Sequence, residues 1–293
     1  MIVTKLTERL GIRVPVVQGG MQWVGLPALA SAVSNAGGLG ILTALSQPSP
    51  DALREAIKET RKLTDKPFGA RAAVEEGVRI FETAGNNPGP LIKFFKSQGC
   101  FVIHKCTTIR HAKSAQKMGV DFLSIDGFEC AGHPGEEDIG GLVLLARAAQ
   151  ELEVPYIASG GFGDARGLVA ALSLGAQGVN MGTRFMVTKE APIHKDIKEK
   201  MISSSEVDTL HIFRSLRNTA RVYKNAVSSE VRPSRKKVYE TGDSDAGIWS
   251  AGIVMGLIKD CPSCAELLQR IEEEAESLIQ GMTRLVVRGH AKL

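Results

Sequence analysis

Short apolar, β-branched runs ending in glycine or a polar residue recur along the first two-thirds of the chain, and an amphipathic stretch of about ten residues follows nearly every one. That alternation marks repeated βα units and a parallel sheet. The runs fall at residues 14–18, 39–43, 66–70, 78–83, 100–105, 121–126, 154–159 and 178–182. Eight strands with intervening helices are the number that closes a (β/α)8 barrel. A doubly wound open sheet, the competing architecture, carries Gly-x-Gly-x-x-Gly at its first strand–helix turn. Here that turn reads Gln18-Gly19-Gly20-Met21-Gln22-Trp23, so the barrel is favoured. The expected fold is an α/β TIM barrel over residues 1–189, with a C-terminal helical lobe over residues 190–293 packed on the barrel rim.

The lobe reads as helical at 190–230, through Ile197, Met201, Leu210, Phe213 and Leu216, and again at 246–285. The third βα unit breaks the pattern. Its strand ends near Ala72 and the next begins near Val78, whereas a parallel crossover with its helix takes at least about 10–12 residues. Either this unit is shortened and lacks its outer helix, or a strand is misassigned.

With 293 residues, 43% of them hydrophobic and 23% charged, the chain can bury a full core without disulfide or metal staples. A net charge of +4, from 36 basic and 32 acidic side chains, is too balanced for a nucleic-acid binder. Five irregularly spaced cysteines suit a reducing compartment. No apolar run is long enough for membrane insertion, and the first residues lack a signal-peptide layout. The final Ala291-Lys292-Leu293 resembles a peroxisomal address, which predicts a peroxisome in a eukaryote and the cytoplasm otherwise.

In a βα barrel the chemistry sits where the strands end. The last two strands end in Ser159-Gly160-Gly161-Phe162-Gly163-Asp164 and Gly182-Thr183-Arg184. Glycines let backbone N–H groups approach an anion, so these loops read as a phosphate cup for a phosphorylated cofactor, or as tight turns only. Lys105 ends the fifth strand and can donate to an electron-rich ring, or snorkel to the rim. Asp126 ends the sixth, where it can accept from a hydroxyl or cap a loop. His133 follows on that loop, with a side chain suited to proton transfer.

Taken together, several stretches resemble the flavin barrels known as nitronate monooxygenases, formerly 2-nitropropane dioxygenases. They are Gln18-Gly19-Gly20-Met21-Gln22-Trp23, Ile103-His104-Lys105-Cys106-Thr107, residues 124–136, Ile157-Ala158-Ser159-Gly160-Gly161-Phe162, Asn180-Met181-Gly182-Thr183-Arg184-Phe185 and residues 245–252. The similarity runs from about residue 6 to about residue 285, and residues 124–136 with Gly247-Ile248-Trp249-Ser250-Ala251-Gly252 look most like the FMN-dependent NADH:quinone reductase branch. The resemblance implies bound FMN, with NADH as co-substrate. Gly20, Met21 and Gln22 would approach the flavin, and Lys105, Asp126, Ala131 and Gly132 would line it. Ser159, Gly160, Gly161, Gly182 and Thr183 would hold the phosphate end. His133 matches the histidine that serves as base in the nitronate enzymes. The chain departs from the family after its third strand and between Glu230 and Lys237, where members carry longer segments.

Three functions follow: NADH:quinone reduction through FMN, oxidation of alkyl nitronates with oxygen, or a flavin-binding or wholly inactive remnant. Small molecules are the expected partners; the oligomeric state stays open. The pair Cys261-Pro262-Ser263-Cys264 reads as a helix start rather than a metal or redox motif. The basic run at 232–237 reads as a solvated loop, and Arg214, Arg217 and Arg221 as one helical face.

Overall fold

Eight parallel strands close a barrel in sequence order in the computed structural model, which describes residues 1–70, 74–85, 88–230 and 235–285. The strands are β1 (Val16–Gln18), β2 (Leu39–Leu42), β3 (Phe68–Ala70), β4 (Ile80–Thr83), β5 (Phe101–Cys106), β6 (Phe122–Asp126), β7 (Tyr156–Ser159) and β8 (Val179–Met181). The ring closes where β8 pairs with β1 in register Val17↔Asn180. Helix α1 (Lys5–Leu10) precedes β1. The outer helices are α2 (Pro27–Asn35), α3 (Pro50–Leu63), α4 (Gly89–Ser97), α5 (Ile109–Lys117), α6 (Gly141–Glu151), α7 (Ala165–Ser173) and the single turn α8 (Thr183–Met186). After them come α9 (Lys195–Ile202), β9 (Thr209–Ile212), β10 (Ala220–Tyr223), α10 (Ala226–Glu230), α11 (Arg235–Thr241) and α12 (Cys264–Thr283).

The two-residue period of a strand sorts its side chains between the barrel interior and the helices. Val17, Leu39, Ile41, Ile80, Ile103, Phe122 and Ile157 fill the lower interior, and Leu6 and Leu10 of α1 plug it from below. One period further along four strands stand Glu82, Lys105, Ser124 and Ser159. The floor of the barrel is thus apolar and its upper mouth polar. The alternate positions, among them Phe81, Val102, Leu123, Ile125 and Ala158, belong to the larger outer core beneath the helices.

The β3–β4 connection is short, as the sequence predicts. Among the described residues it holds only a turn closed by the Gly77 N–H on the Val74 carbonyl (2.9 Å), yet Ala70 still pairs with Phe81. Where an outer helix would lie, an apolar groove of about 220 Å³ runs between Leu53, Val74, Leu91 and Phe94.

Two expectations for the C-terminal part are corrected. Residues 209–223 form an antiparallel hairpin, β9 on β10 with Ala220↔Ile212 and Tyr223↔Thr209, not a helix. Leu210, Phe213 and Leu216 recur every third residue and so mimic a helical stripe, but Ile212, Ala220 and Val222 bury together against Ile248. Consequently Arg214, Arg217 and Arg221 share no helical face: Arg214 starts a 3-10 turn, Arg217 has φ 50°, and Arg221 lies in β10. Of the stretch 246–285, only α12 and a 3-10 turn at Ile253–Leu257 are helical.

Helix α12 packs against α2 and α7, the two flanks of the gap that single-turn α8 leaves open. It therefore fills that gap in the ring of outer helices. Ser263 caps it through a reciprocal pair with Glu266, so the Cys261–Cys264 stretch is a helix start, with Cys264 buried. Residues 231–234, which hold half of the basic run, and Ala291-Lys292-Leu293 lie outside the described residues. Among the described residues, no helix is long and apolar enough to cross a membrane.

Candidate active site

The polar upper layer of the barrel is a connected network. Glu82, 5% exposed, accepts from the Gly20 backbone N–H (2.8 Å) and from the Asn180 amide (3.1 Å). The Lys105 ammonium stands 3.7 Å from the same carboxylate. Asn180 also donates to the Ser124 hydroxyl (3.2 Å), which donates to Asp126 (3.1 Å). Burial pushes the Asp126 carboxyl above its ordinary range, while Lys105 and the hydroxyls of Ser159 and Ser124 pull it back. The layer thus holds one ammonium between two buried carboxyl groups.

Sequence reading found Lys105, Asp126 and Ser159 in this layer but missed Glu82, Ser124 and Asn180. A signal was present. Ile80-Phe81-Glu82 repeats the apolar-x-charged pattern of Ile103-His104-Lys105, and a charge two residues beyond an inward isoleucine faces the same interior.

Above the layer opens a cavity of about 1050 Å³. Gly20, Met21, Gln22, Lys105, Asp126, Ala131, Gly132, His133, Ser159, Gly160, Gly161, Gly182 and Thr183 all line it. Ser159↔Asn180 register between β7 and β8 sets the two glycine-bearing loops side by side on the same barrel end. Gly160 and Gly161 both take φ +86°, a conformation glycine adopts at little cost, and their amides donate to no partner among the described residues. The Thr183 hydroxyl is fixed by the Gly252 N–H (3.0 Å). A methyl group on Gly160 would sit 2.9 Å from the Gly127 carbonyl oxygen and 3.0 Å from the Cys130 nitrogen. Gly160→Ala is therefore expected to cost about 1–3 kcal/mol, measured by urea denaturation.

Two cysteines, Cys106 and Cys130, also border the cavity. Burial, reinforced by the Asp126 charge, pushes Cys106 up to about 12 and raises Cys130 as well. Neither is a thiolate near neutrality, so neither is an activated nucleophile. The exposed Arg110, His111 and Arg217 stand around the mouth. Among the described residues no cluster of His, Cys, Asp and Glu is arranged to hold a metal ion.

The donor set fits an FMN: unpaired glycine amides and a hydroxyl for a phosphate, and an ammonium over a polar floor for an electron-rich ring. The sequence model of the nitronate monooxygenase family matches residues 3–80 and 71–274. The chain belongs to the nitronate monooxygenase family. The two matched pieces meet at the shortened β3–β4 crossover.

Among relatives, (3aS,4S,5R,7aS)-5-hydroxy-7a-methyl-1-oxo-octahydro-1H-indene-4-carboxyl-CoA dehydrogenase of Mycobacterium tuberculosis is 32% identical over 353 residues, covering 97% of this chain and 99% of that protein. Since this chain has 293 residues, at least 60 aligned positions face none of its own. Nitronate monooxygenase of Paraburkholderia phytofirmans is 28% identical, over 94% of this chain and 96% of that one. FabK of Thermotoga maritima superposes with a TM-score of 0.90 at 31% identity, covering 98% of this chain and 100% of that one. A nitroalkane oxidase of Streptomyces ansochromogenes, at 21% identity and a TM-score of 0.81 over 94% of this chain and 99% of that one, shares the fold.

Proposed function

We propose that this member of the family is an FMN-dependent oxidoreductase that takes its electrons from NADH and passes them to an organic substrate seated beside His133. The observation that carries this reading is the convergence of the unpaired Gly160 and Gly161 amides, the Thr183 hydroxyl and the Lys105 ammonium on one large cavity. When bound, FMN supplies the acceptance and return of a hydride. The chain's residues supply the rest. Gly160, Gly161, Gly182 and Thr183 would hold the phosphate, as Gly20, Met21 and Gln22 approach the ring with Ala131 and Gly132. Lys105 would donate to the ring's electron-rich edge, and Glu82 keeps that ammonium in place. His133 would orient the substrate or take its proton.

For the substrate, a CoA thioester is the reading we favour. Two CoA-thioester dehydrogenases, 32% and 29% identical, align over nearly their whole length, and Arg110, His111 and Arg217 at the mouth suit an anionic carrier. A quinone is the second reading, supported by the resemblance of residues 124–136 and 247–252 to the quinone reductase branch. One experiment tests all of this. The purified protein is expected to be yellow and to bleach on anaerobic mixing with NADH. After NADH, the oxidant that restores the colour names the substrate, a CoA-linked enone or a quinone; bleaching by an alkyl nitronate in place of NADH, with oxygen restoring the colour, names the nitronate instead. A colourless protein, or flavin that stays oxidised with every donor, rejects the proposal and favours the remnant.

A further inference from the structure

The loop that carries His133 is gripped on both sides by the β9–β10 hairpin. One residue before His133, Gly132 and Arg221 exchange backbone hydrogen bonds, Gly132 N–H to the Arg221 carbonyl at 3.1 Å and Arg221 N–H to the Gly132 carbonyl at 2.6 Å. Three residues after it, the Glu136 carboxylate accepts from the Thr219 backbone N–H (2.9 Å) and from the Thr219 hydroxyl (2.5 Å). Further on, Asp138 accepts two bonds from Arg214, at 2.9 and 2.6 Å. At the start of the loop, the Arg221 guanidinium donates to the Phe128 carbonyl (3.0 Å) and lies 4.5 Å over the Phe128 ring.

The loop needs such a grip. Gly132 has φ 73° and Gly135 has φ 85°, so the backbone turns through glycine on either side of His133-Pro134, and glycine is the residue with most conformational freedom to lose. The hairpin side is rigid where it holds. Thr219 is 1% exposed, and it closes onto a strand pair whose Ile212, Ala220 and Val222 are buried. The Glu136 carboxyl is held below its ordinary range by the Thr219 hydroxyl and amide, which keeps it a charged acceptor.

We propose that Thr219 and Glu136 are positioning residues for His133: the hairpin fixes the loop, and through it the imidazole, at the cavity. The proposal rests on the reading that His133 meets the substrate.

The test uses the full-length, flavin-loaded protein and the variants Glu136→Ala, Glu136→Gln, Thr219→Val and His133→Ala. Proton–carbon spectra of the protein labelled at its six histidines, with His133 assigned by its disappearance in His133→Ala, read the imidazole directly. In Glu136→Ala and Thr219→Val the His133 ring signals are expected to move toward the position of a free histidine, while the flavin content and melting temperature stay as in the parent. Turnover with the substrate found above is expected to fall about tenfold in kcat, with less change in KM, and Glu136→Gln to recover most of it. In a His133→Ala background, Glu136→Ala is expected to add nothing.

Unchanged His133 signals in both variants overturn the proposal. So does a loss in Glu136→Ala that multiplies with that of His133→Ala, because the two then act independently. If the signals move but His133→Ala keeps full turnover, the positioning stands and the role of His133 in turnover falls.

Discussion

Lys105→Met is expected to lower the unfolding free energy by about 3–5 kcal/mol, because it leaves buried carboxyl groups without their cation. Glu82 and Asp126 are 5% and 8% exposed, and Lys105 stands 3.7 Å from the first and lowers the proton affinity of the second. The deficit has a pH signature. Burial already raises the Asp126 carboxyl, and without Lys105 it climbs further. The folded chain then keeps a proton that the unfolded chain has released, so stability falls as pH rises from the ordinary Asp value of 3.8 upward. Urea denaturation is expected to show a larger loss at about pH 8 than at about pH 5. The double variant Lys105→Met, Glu82→Gln is expected to regain part of it, since one of the stranded charges is gone. A single variant as stable as the parent at both pH values would show that the network carries no net charge coupling.

Gly40→Ala is expected to cost about 3 kcal/mol or more, and to give mostly insoluble protein. A methyl group at Gly40 would fall 1.9 Å from the Ala30 carbonyl oxygen and 2.6 Å from its carbon, so α2 rests directly on the backbone of β2. Neither side can yield. Gly40 is paired on one flank to Gln18 and on the other to Phe68, and Ala30 is in mid-helix with its neighbours Leu29 and Val33 fully buried. Gly281→Ala is the control. Its added methyl meets nothing within 4 Å and its position is helical, so a gain of about 0.5–1 kcal/mol is expected in the same denaturation measurement. Equal stability of Gly40→Ala and the parent would mean that the close approach of α2 to β2 is wrong.

The two sites also mark what can be read without coordinates. A tight glycine within an apolar run, such as Leu39-Gly40-Ile41, is visible as a glycine but not as a contact, since nothing local says that Ala30 will arrive there. The hairpin escapes local pattern for the same reason. Leu210, Phe213 and Leu216 fit a helical spacing, and only burial against Ile248 decides for strands. Glu82 passed unnoticed because its partner Asn180 is 98 residues away in the chain.

What the sequence by itself determined was everything carried by short-range pattern. The alternation of strand and helix, the barrel that eight such units close, the shortened third crossover and the glycine loops at the last two strand ends all follow from spacing and residue type. Local periodicity reports which side of an element is buried, and glycine reports where the backbone must turn. Only the tertiary structure decided which buried faces meet. Barrel closure brought Glu82, Lys105, Asp126 and Asn180 into one network, sent α12 back between α2 and α7, and set the hairpin against the His133 loop. Those contacts join residues far apart in the chain, and their energy exists only once the intervening chain has folded.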